Sequence, residues 1–128
     1  MDISGLSASD LSRLIAARKL APSEVMAVHL ARVAAANPGV NALVCARDPD
    51  VLMAEARAAD DAPRKGWMHG FPHAVKNLVN VAGMQTSFGS PLFAGFVAPE
   101  DVLIVARMRA AGAIFTAKTN TPEWGHGS

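Results

Sequence analysis

Cysteine and tyrosine are the residues that this sequence uses least: Cys45 is its only cysteine, and tyrosine is absent. A single cysteine excludes an internal disulfide and any zinc site built from several cysteines. Aromatic residues make up 5% of the chain, which argues against a surface on which nucleic-acid bases stack. Packing and hydrogen bonding must therefore hold this fold together.

The chain also lacks an excess of either basic or acidic residues. The 12 Lys and Arg residues nearly balance the 11 Asp and Glu residues, and the formal net charge is +1. The basic residues are dispersed along the chain, so the sequence has no basic stripe that could displace the counterions of DNA or RNA. We expect no nucleic-acid partner.

Long apolar runs are absent as well. No stretch approaches the ~20 consecutive apolar residues that span a bilayer. The opening residues MDISGLSASD lack the basic start and the apolar core of a signal peptide. We therefore expect a cytoplasmic protein with no membrane partner.

What the chain has in quantity is apolar side chains, at 51% of its residues, and their spacing predicts helices first and strands later. Four helices are predicted: one capped by Ser7 or Ser9, one from Pro22 that stops at Asn37-Pro38-Gly39, one capped by Asp48 that runs to Ala59, and one over 102–111 that Glu100 and Asp101 open and Gly112 ends. Strands are predicted over 42–46, 74–81 and 113–118.

This order predicts an α/β fold with N-terminal helices and part of a mixed sheet flanked by helices. The helix over 102–111 would cross between two neighbouring strands. Because the chain stops in a loop directly after a strand that looks buried, we interpret residues 1–128 as the N-terminal part of a single, truncated domain.

Lys76 is the residue of this pattern that most needs an explanation, because it lies in an otherwise apolar strand, AVKNLV. Burial without a partner disfavours the charged ammonium, and a neutral amine held in a dry pocket is a competent general base. The alternative is that the side chain extends to solvent at the strand end or pairs with a carboxylate. Spacing alone favours this alternative.

Two separate runs of sequence bear on that choice. GFPHAVKN at 70–77 and AGAIFTAKTNTPEWG at 111–125 resemble two consecutive blocks of the amidase-signature family, in the family's order and separation. In the first block a Gly-x-Pro turn leads into the strand that carries the family's catalytic lysine, and Lys76 is the matching position. The resemblance implies a truncated amidase-signature fold.

The resemblance also implies a mechanism for amide C–N hydrolysis. Amidase-signature enzymes use a neutral lysine, a serine in a cis peptide and a nucleophilic serine, which forms an acyl-enzyme. Lys76 would be the general base, and neither a cofactor nor a metal is implied. The resemblance implies that both family serines lie beyond Ser128. Ser87, Ser90 and Ser128 lack the Gly-rich surroundings of the family's nucleophile and are not expected to replace it. We therefore expect this chain alone to be inactive.

The first block departs from the family at three positions. Asn77 and Asn80 stand where aspartate is usual, so neither can supply a negative charge that would hold the lysine protonated. His73 stands where a small or apolar residue is more frequent. These departures leave the role of Lys76 plausible and its tuning open.

The other candidate residues have structural explanations. Lys118 is expected to be a structural lysine at a strand end, and Glu123 and Trp124 are expected to anchor the following loop. His69 and His73 have a spacing used by metal-binding helices, but Gly70 and Pro72 disfavour a helix there. Cys45 is expected to be a small buried hydrophobic residue rather than a nucleophile.

The sequence thus leaves two interpretations of function. The first is an amide hydrolase that acts on a small-molecule amide, with the glutamine-dependent amidotransferase component that acts on misacylated tRNA as a sibling. The second is a non-catalytic remnant, or a fragment that acts only with a complementary chain. A chain of this kind should self-associate through exposed sheet edges.

Overall fold

Four α-helices and three β-strands form within residues 1–127, the part of the chain that the computed structural model describes. Ser128, considered above as a candidate serine, lies outside the described residues. The helices are α1 (Ala8–Ala16), α2 (Pro22–Val40), α3 (Pro49–Asp61) and α4 (Leu103–Ala110). The strands are β1 (Leu43–Val44), β2 (Pro72–Lys76) and β3 (Ile114–Thr119). Short 3₁₀ turns occupy Ile3–Gly5, Pro91–Phe93 and Glu123–Gly125.

The three strands form one mixed sheet in the order β1-β3-β2. The central strand, β3, runs antiparallel to β1 and parallel to β2. Val75 pairs with Lys118 and Lys76 pairs with Thr119, so β2 and β3 end at the same edge of the sheet. The connection between these two parallel strands contains α4, which confirms the predicted helical crossover.

Apolar side chains pack against both faces of β3, because successive side chains of a strand point to opposite faces. Phe115 is 1% exposed and belongs to the larger cluster, together with Val105 of α4. The neighbouring Ile114 belongs to a second cluster with Met26 of α2 and Leu52 of α3. Helices therefore cover both sides of the central strand.

Two helix starts agree with the predicted caps. The Ser7 hydroxyl accepts a hydrogen bond from the Asp10 N–H at 3.1 Å, and the Asp48 carboxylate accepts from the N–H groups of Asp50 and Val51 at 2.8 and 3.2 Å. Such caps satisfy N–H groups that have no partner within the helix. The local sequence signals at Ser7 and Asp48 are therefore confirmed.

The predicted end of α2 is wrong. The helix continues through Pro38 to Val40, and Asn41 follows it with a left-handed φ of 49°. The side-chain amide of Asn37 instead donates to the Leu43 carbonyl and accepts from the Leu43 N–H, at 3.0 and 2.8 Å. Asn37 thus fixes the segment that follows the helix rather than stopping it.

The start of α4 also differs from the prediction. Asp101 does not cap the helix, which has no side-chain cap at Val102. Its carboxylate accepts from the Ala82 N–H at 2.7 Å and from the Arg109 guanidinium at 2.8 and 3.0 Å. These bonds, those to Arg109 first, lower the pKa of Asp101. Asp101 therefore joins the loop after β2 to the far end of α4.

Two strands are shorter than predicted. β1 keeps two residues, because Cys45 has a φ of 49° that takes it out of the extended region. β2 stops at Lys76, whose carbonyl accepts from the Val79 N–H at 2.9 Å and so starts a turn. No helix in residues 1–127 combines the length and the hydrophobicity needed to cross a membrane.

His73, unexplained by the sequence, packs edge-on against Phe115 with 5.9 Å between ring centroids. Burial of this half-buried ring lowers its pKa below 6.5. The folded state then binds a proton less readily than the unfolded state, so the neutral ring stabilises the fold above pH ~6.5 and this stability is lost as pH falls through the lowered pKa.

We expect His73→Phe, which keeps a ring and removes the titrating group, to reduce the loss of unfolding free energy between pH 7.5 and 5.5. Urea unfolding at both pH values measures that loss. The same replacement at exposed His126 should leave it unchanged. An identical pH dependence in wild type and His73→Phe would contradict the assignment.

Candidate active site

Lys76 is the last residue of β2, at the edge where the parallel strands end. The neighbouring Val75 is buried, and the alternation of a strand turns Lys76 to the other face, where it is exposed. Its amine makes no hydrogen bond or ion pair to another residue within 1–127. The expected dry pocket is therefore not formed by the described residues, and neither is the alternative pairing with a carboxylate.

The backbone that carries Lys76 is held much more tightly than its side chain. Asn77 is 1% exposed, and its N–H donates to the Thr119 carbonyl at 3.0 Å. Its side-chain amide donates to the Ser87 hydroxyl at 2.7 Å and accepts from the Ser87 N–H at 3.1 Å. The asparagine that replaces the usual aspartate thus ties the loop after β2 to the end of the strand.

Lys118 is the buried lysine of this edge, with 0% of its surface exposed. It lies next to last in β3, and its amine donates to the Val79 carbonyl and, at 2.8 Å, to the Thr86 hydroxyl. Burial lowers the pKa of Lys118. The prediction of a lysine near a strand end is correct, but the apolar run AIFTA before it was the signal of its burial.

The loop after β3 packs on the loop after β2. The Ser90 hydroxyl donates to the Glu123 carboxylate at 2.8 Å, and the Trp124 ring stacks on Phe88 at 5.2 Å between centroids. Gly89, with a φ of +66°, lies so close to Thr121 that a Cβ atom would be 2.8 Å from the Thr121 carbonyl. The predicted anchoring roles of Glu123 and Trp124 agree with these contacts.

An aromatic cluster covers these loops. The sequence did not predict this cluster, because aromatic residues are few in the chain. Phe88, Phe93, Phe96 and Trp124 pack with ring centroids 5.0 to 6.2 Å apart. The Trp124 side chain remains 43% exposed. Trp124 lies 28 residues after Phe96 in the chain, so only the folded loops reveal the cluster.

Two polar atoms near this edge are buried without a hydrogen-bond partner in residues 1–127: the side-chain carbonyl oxygen of Asn80 and the hydroxyl of Thr121. Buried polar atoms are usually paired. The hydroxyls of Ser87 and Ser90, in contrast, are both engaged by side chains, Asn77 and Glu123 respectively. These contacts give the two hydroxyls structural roles, and Ser90 is only 3% exposed, which closes its hydroxyl to a substrate.

The remaining candidates do not form a site. His69 accepts from the Lys65 N–H at 3.3 Å, which leaves its other nitrogen to donate to the Ala59 carbonyl at 2.9 Å. Within residues 1–127 no three His, Cys, Asp or Glu side chains are grouped as a metal would require. Cys45 is half-buried rather than buried as predicted, because its left-handed backbone turns out of the sheet.

The chain is similar in sequence to known proteins. The family model described as Amidase matches residues 24–128. An acylamidase of Rhodococcus erythropolis is 35% identical over 127 residues, which cover 94% of this chain and 26% of that protein. A glutamyl-tRNA(Gln) amidotransferase component of Acidothermus cellulolyticus is 36% identical, with 99% of this chain and 26% of that protein covered.

The fold is similar to solved structures as well. The native peptide amidase of Stenotrophomonas maltophilia superimposes with a TM-score of 0.84 and 32% sequence identity, over 96% of this chain and 26% of that one. The predicted α/β architecture is therefore confirmed. The chain spans about a quarter of the length of the relatives that it matches.

We expect Asn77→Ala to lower the unfolding free energy by about 1–3 kcal/mol, because it leaves the partly buried Ser87 N–H without its acceptor. Urea unfolding measures the change. Gln85→Ala removes an exposed amide from the same loop and should stay within about 0.5 kcal/mol of wild type. Equal effects of the two changes would show that the Asn77 contacts do not hold the loop.

Proposed function

The chain belongs to the amidase-signature family, and from that membership we propose that Lys76 is the general base in the hydrolysis of an amide C–N bond. Lys76 lies in the segment that the family model matches, in the block that resembles the family's catalytic-lysine strand. It ends a parallel strand, and in α/β sheets ligands bind beyond the carboxyl ends of the strands. This position is the observation that carries the proposal.

The proposed reaction begins with a neutral Lys76 amine, which accepts the hydroxyl proton of a bridging serine. That serine accepts the proton of a second, nucleophilic serine, whose oxygen attacks the amide carbonyl. The C–N bond breaks, the leaving nitrogen takes up a proton, and water then hydrolyses the acyl-enzyme. We propose that both serines, and the Gly- and Ser-rich loop that would stabilise the oxyanion, belong to polypeptide outside these 128 residues.

The surroundings of Lys76 support a site in which this chain provides the base and another segment provides the serines. Its backbone is fixed by Asn77, while its amine is exposed and unpaired within residues 1–127, so an added segment can cover it and exclude water. Desolvation by such a segment would favour the neutral amine. Asn77 adds no negative charge that would oppose this change. Residues 1–128 would then be the N-terminal part of a single domain.

For the substrate we propose a chemical class rather than an individual compound. The similar proteins are named as an acylamidase, a peptide amidase and a component of an amidotransferase. All three names refer to chemistry at an amide group, and the shared segment includes the position of Lys76. We therefore propose a small-molecule amide, and a misacylated-tRNA substrate with companion proteins as the sibling within this class.

Replacing Lys76 by Met in the natural polypeptide that contains this chain should lower kcat for a simple amide by about 10²–10⁴-fold, the usual contribution of a general base. Steady-state kinetics measures the change. Lys65→Met, at another exposed lysine, should leave kcat within about twofold of wild type. Full activity of Lys76→Met would reject Lys76 as the base.

The 128-residue chain alone should not hydrolyse the same amide, because the two serines of the proposed reaction belong to polypeptide outside it. Ser90, whose hydroxyl donates to the Glu123 carboxylate, is only 3% exposed and so is closed to a substrate. Turnover that follows ordinary saturation kinetics in a purified sample would overturn this part of the proposal.

A second candidate function is association with a complementary chain, without catalysis by this one. The observation that favours it is the outer face of α4, where Leu103 is 67% and Ile104 61% exposed. Adjacent apolar side chains of this exposure mark an association surface. The sheet edges proposed from the sequence would then be a secondary contact.

We expect the chain to self-associate as its concentration rises, and Leu103→Ser with Ile104→Ser to abolish this association. Sedimentation velocity measures the size distribution. Val40→Ser removes an equally exposed apolar side chain at the end of α2 and should not change it. A wild-type chain that stays monomeric at high concentration would contradict self-association through this face.

A further inference from the structure

Lys118 has an environment that a merely space-filling residue would not need. Its side chain is completely buried, and no carboxylate within residues 1–127 lies within ion-pair distance. Burying an amine without a counter-charge is costly, and an apolar side chain of the same volume would avoid that cost. The presence of a lysine here is therefore to be explained by the hydrogen bonds that its amine makes.

The amine joins two segments that each reach the neighbourhood of Lys76. The Val79 carbonyl that accepts from it belongs to the residue whose N–H donates to the Lys76 carbonyl at 2.9 Å. The Thr86 hydroxyl, the second acceptor, is fully buried and belongs to the residue before Ser87, which Asn77 holds. Each contact is thus connected to the end of β2, one through the Val79–Lys76 turn and the other through the bond between Ser87 and Asn77.

Together with the backbone, these hydrogen bonds form a closed ring of contacts that includes Lys76. The strand pairing of Val75 with Lys118 forms one side, the turn from Lys76 to Val79 a second, and the loop from Val79 to Thr86 a third. The Lys118 amine contacts both ends of that loop. Because the ring is closed, the direction in which Lys76 leaves the strand depends on it.

We propose that Lys118 is a positioning residue, which fixes the turn after β2 and so aims the Lys76 amine at the reacting hydroxyl. The inference rests on the proposed function of Lys76. The amine of Lys118 faces away from the Lys76 side chain, since Val75 and Lys118 share one face of the sheet and Lys76 lies on the other. Lys118 therefore acts through the backbone and does not touch substrate.

The first test is amide hydrogen exchange on the 128-residue chain, which needs no activity. Lys118→Met keeps the length of the side chain and removes the amine. We expect the N–H groups of Asn77, Val79 and Ser87 to exchange at least about tenfold faster, while the Leu52 N–H at the start of α3 keeps its rate. Lys19→Met, at an exposed lysine, should change none of them.

Thr86→Val removes one of the two contacts at almost constant volume and remains informative if Lys118→Met does not fold. It should speed exchange of the Ser87 N–H more than that of the Asn77 N–H, because Asn77 is also held by the Thr119 carbonyl. Unchanged exchange at the turn in both variants, or an equal increase in every element, would overturn the inference by assigning Lys118 to the core as a whole.

The second test is steady-state kinetics of the natural polypeptide that contains this chain. Thr86→Val and Lys118→Met should lower kcat by up to about a hundredfold with KM within about twofold, because a displaced base costs rate rather than binding. Unchanged kcat in both, with Lys76→Met inactive, would overturn positioning and leave the proposed function intact. If Lys76→Met is fully active, the proposed function fails, and faster exchange at the turn would then show a structural role alone for Lys118.

Discussion

Parallel pairing between β2 and β3 brings the chemistry-bearing residues of this chain to one edge of a small sheet. The central strand is covered by helices on both faces, so its position is fixed by two apolar clusters. β2 is aligned to it, with one register shift between His73 and Ala74, up to the pair formed by Lys76 and Thr119. Everything beyond that pair, including both loops and the aromatic cluster on them, takes its position from this alignment.

The two lysines of this edge show how one residue type serves two purposes. The Lys76 side chain is exposed at the end of its strand, and its amine has no partner in the described residues. The Lys118 side chain points to the opposite face of the sheet, is buried, and is held by a carbonyl and a hydroxyl. Their backbones are one strand apart. The face to which each side chain points, more than the chain position, decides whether its amine is free to react or is part of the scaffold.

Features that depend on neighbouring residues could be read from the sequence. The caps at Ser7 and Asp48 and the crossover helix before Gly112 each rest on contacts within a few positions. The end of α2 was misplaced because the helix continues past Pro38, while the Asn37 side chain bonds to Leu43, six positions away. The apolar run before Lys118 indicates that it is buried, but its hydrogen bond to Thr86, 32 positions away, cannot be read from any local pattern.

The crossover that joins β2 to β3 also bears on how the molecule assembles. The paired strands are separated along the chain by the loop after β2 and by α4, whereas the α2–α3 pair is joined by a short connection. Closing a long segment costs chain entropy before any strand contact repays it, so pairings of this kind tend to form late. We therefore expect the helical half to condense first, with the lysine-bearing edge ordered only in the final stage of folding.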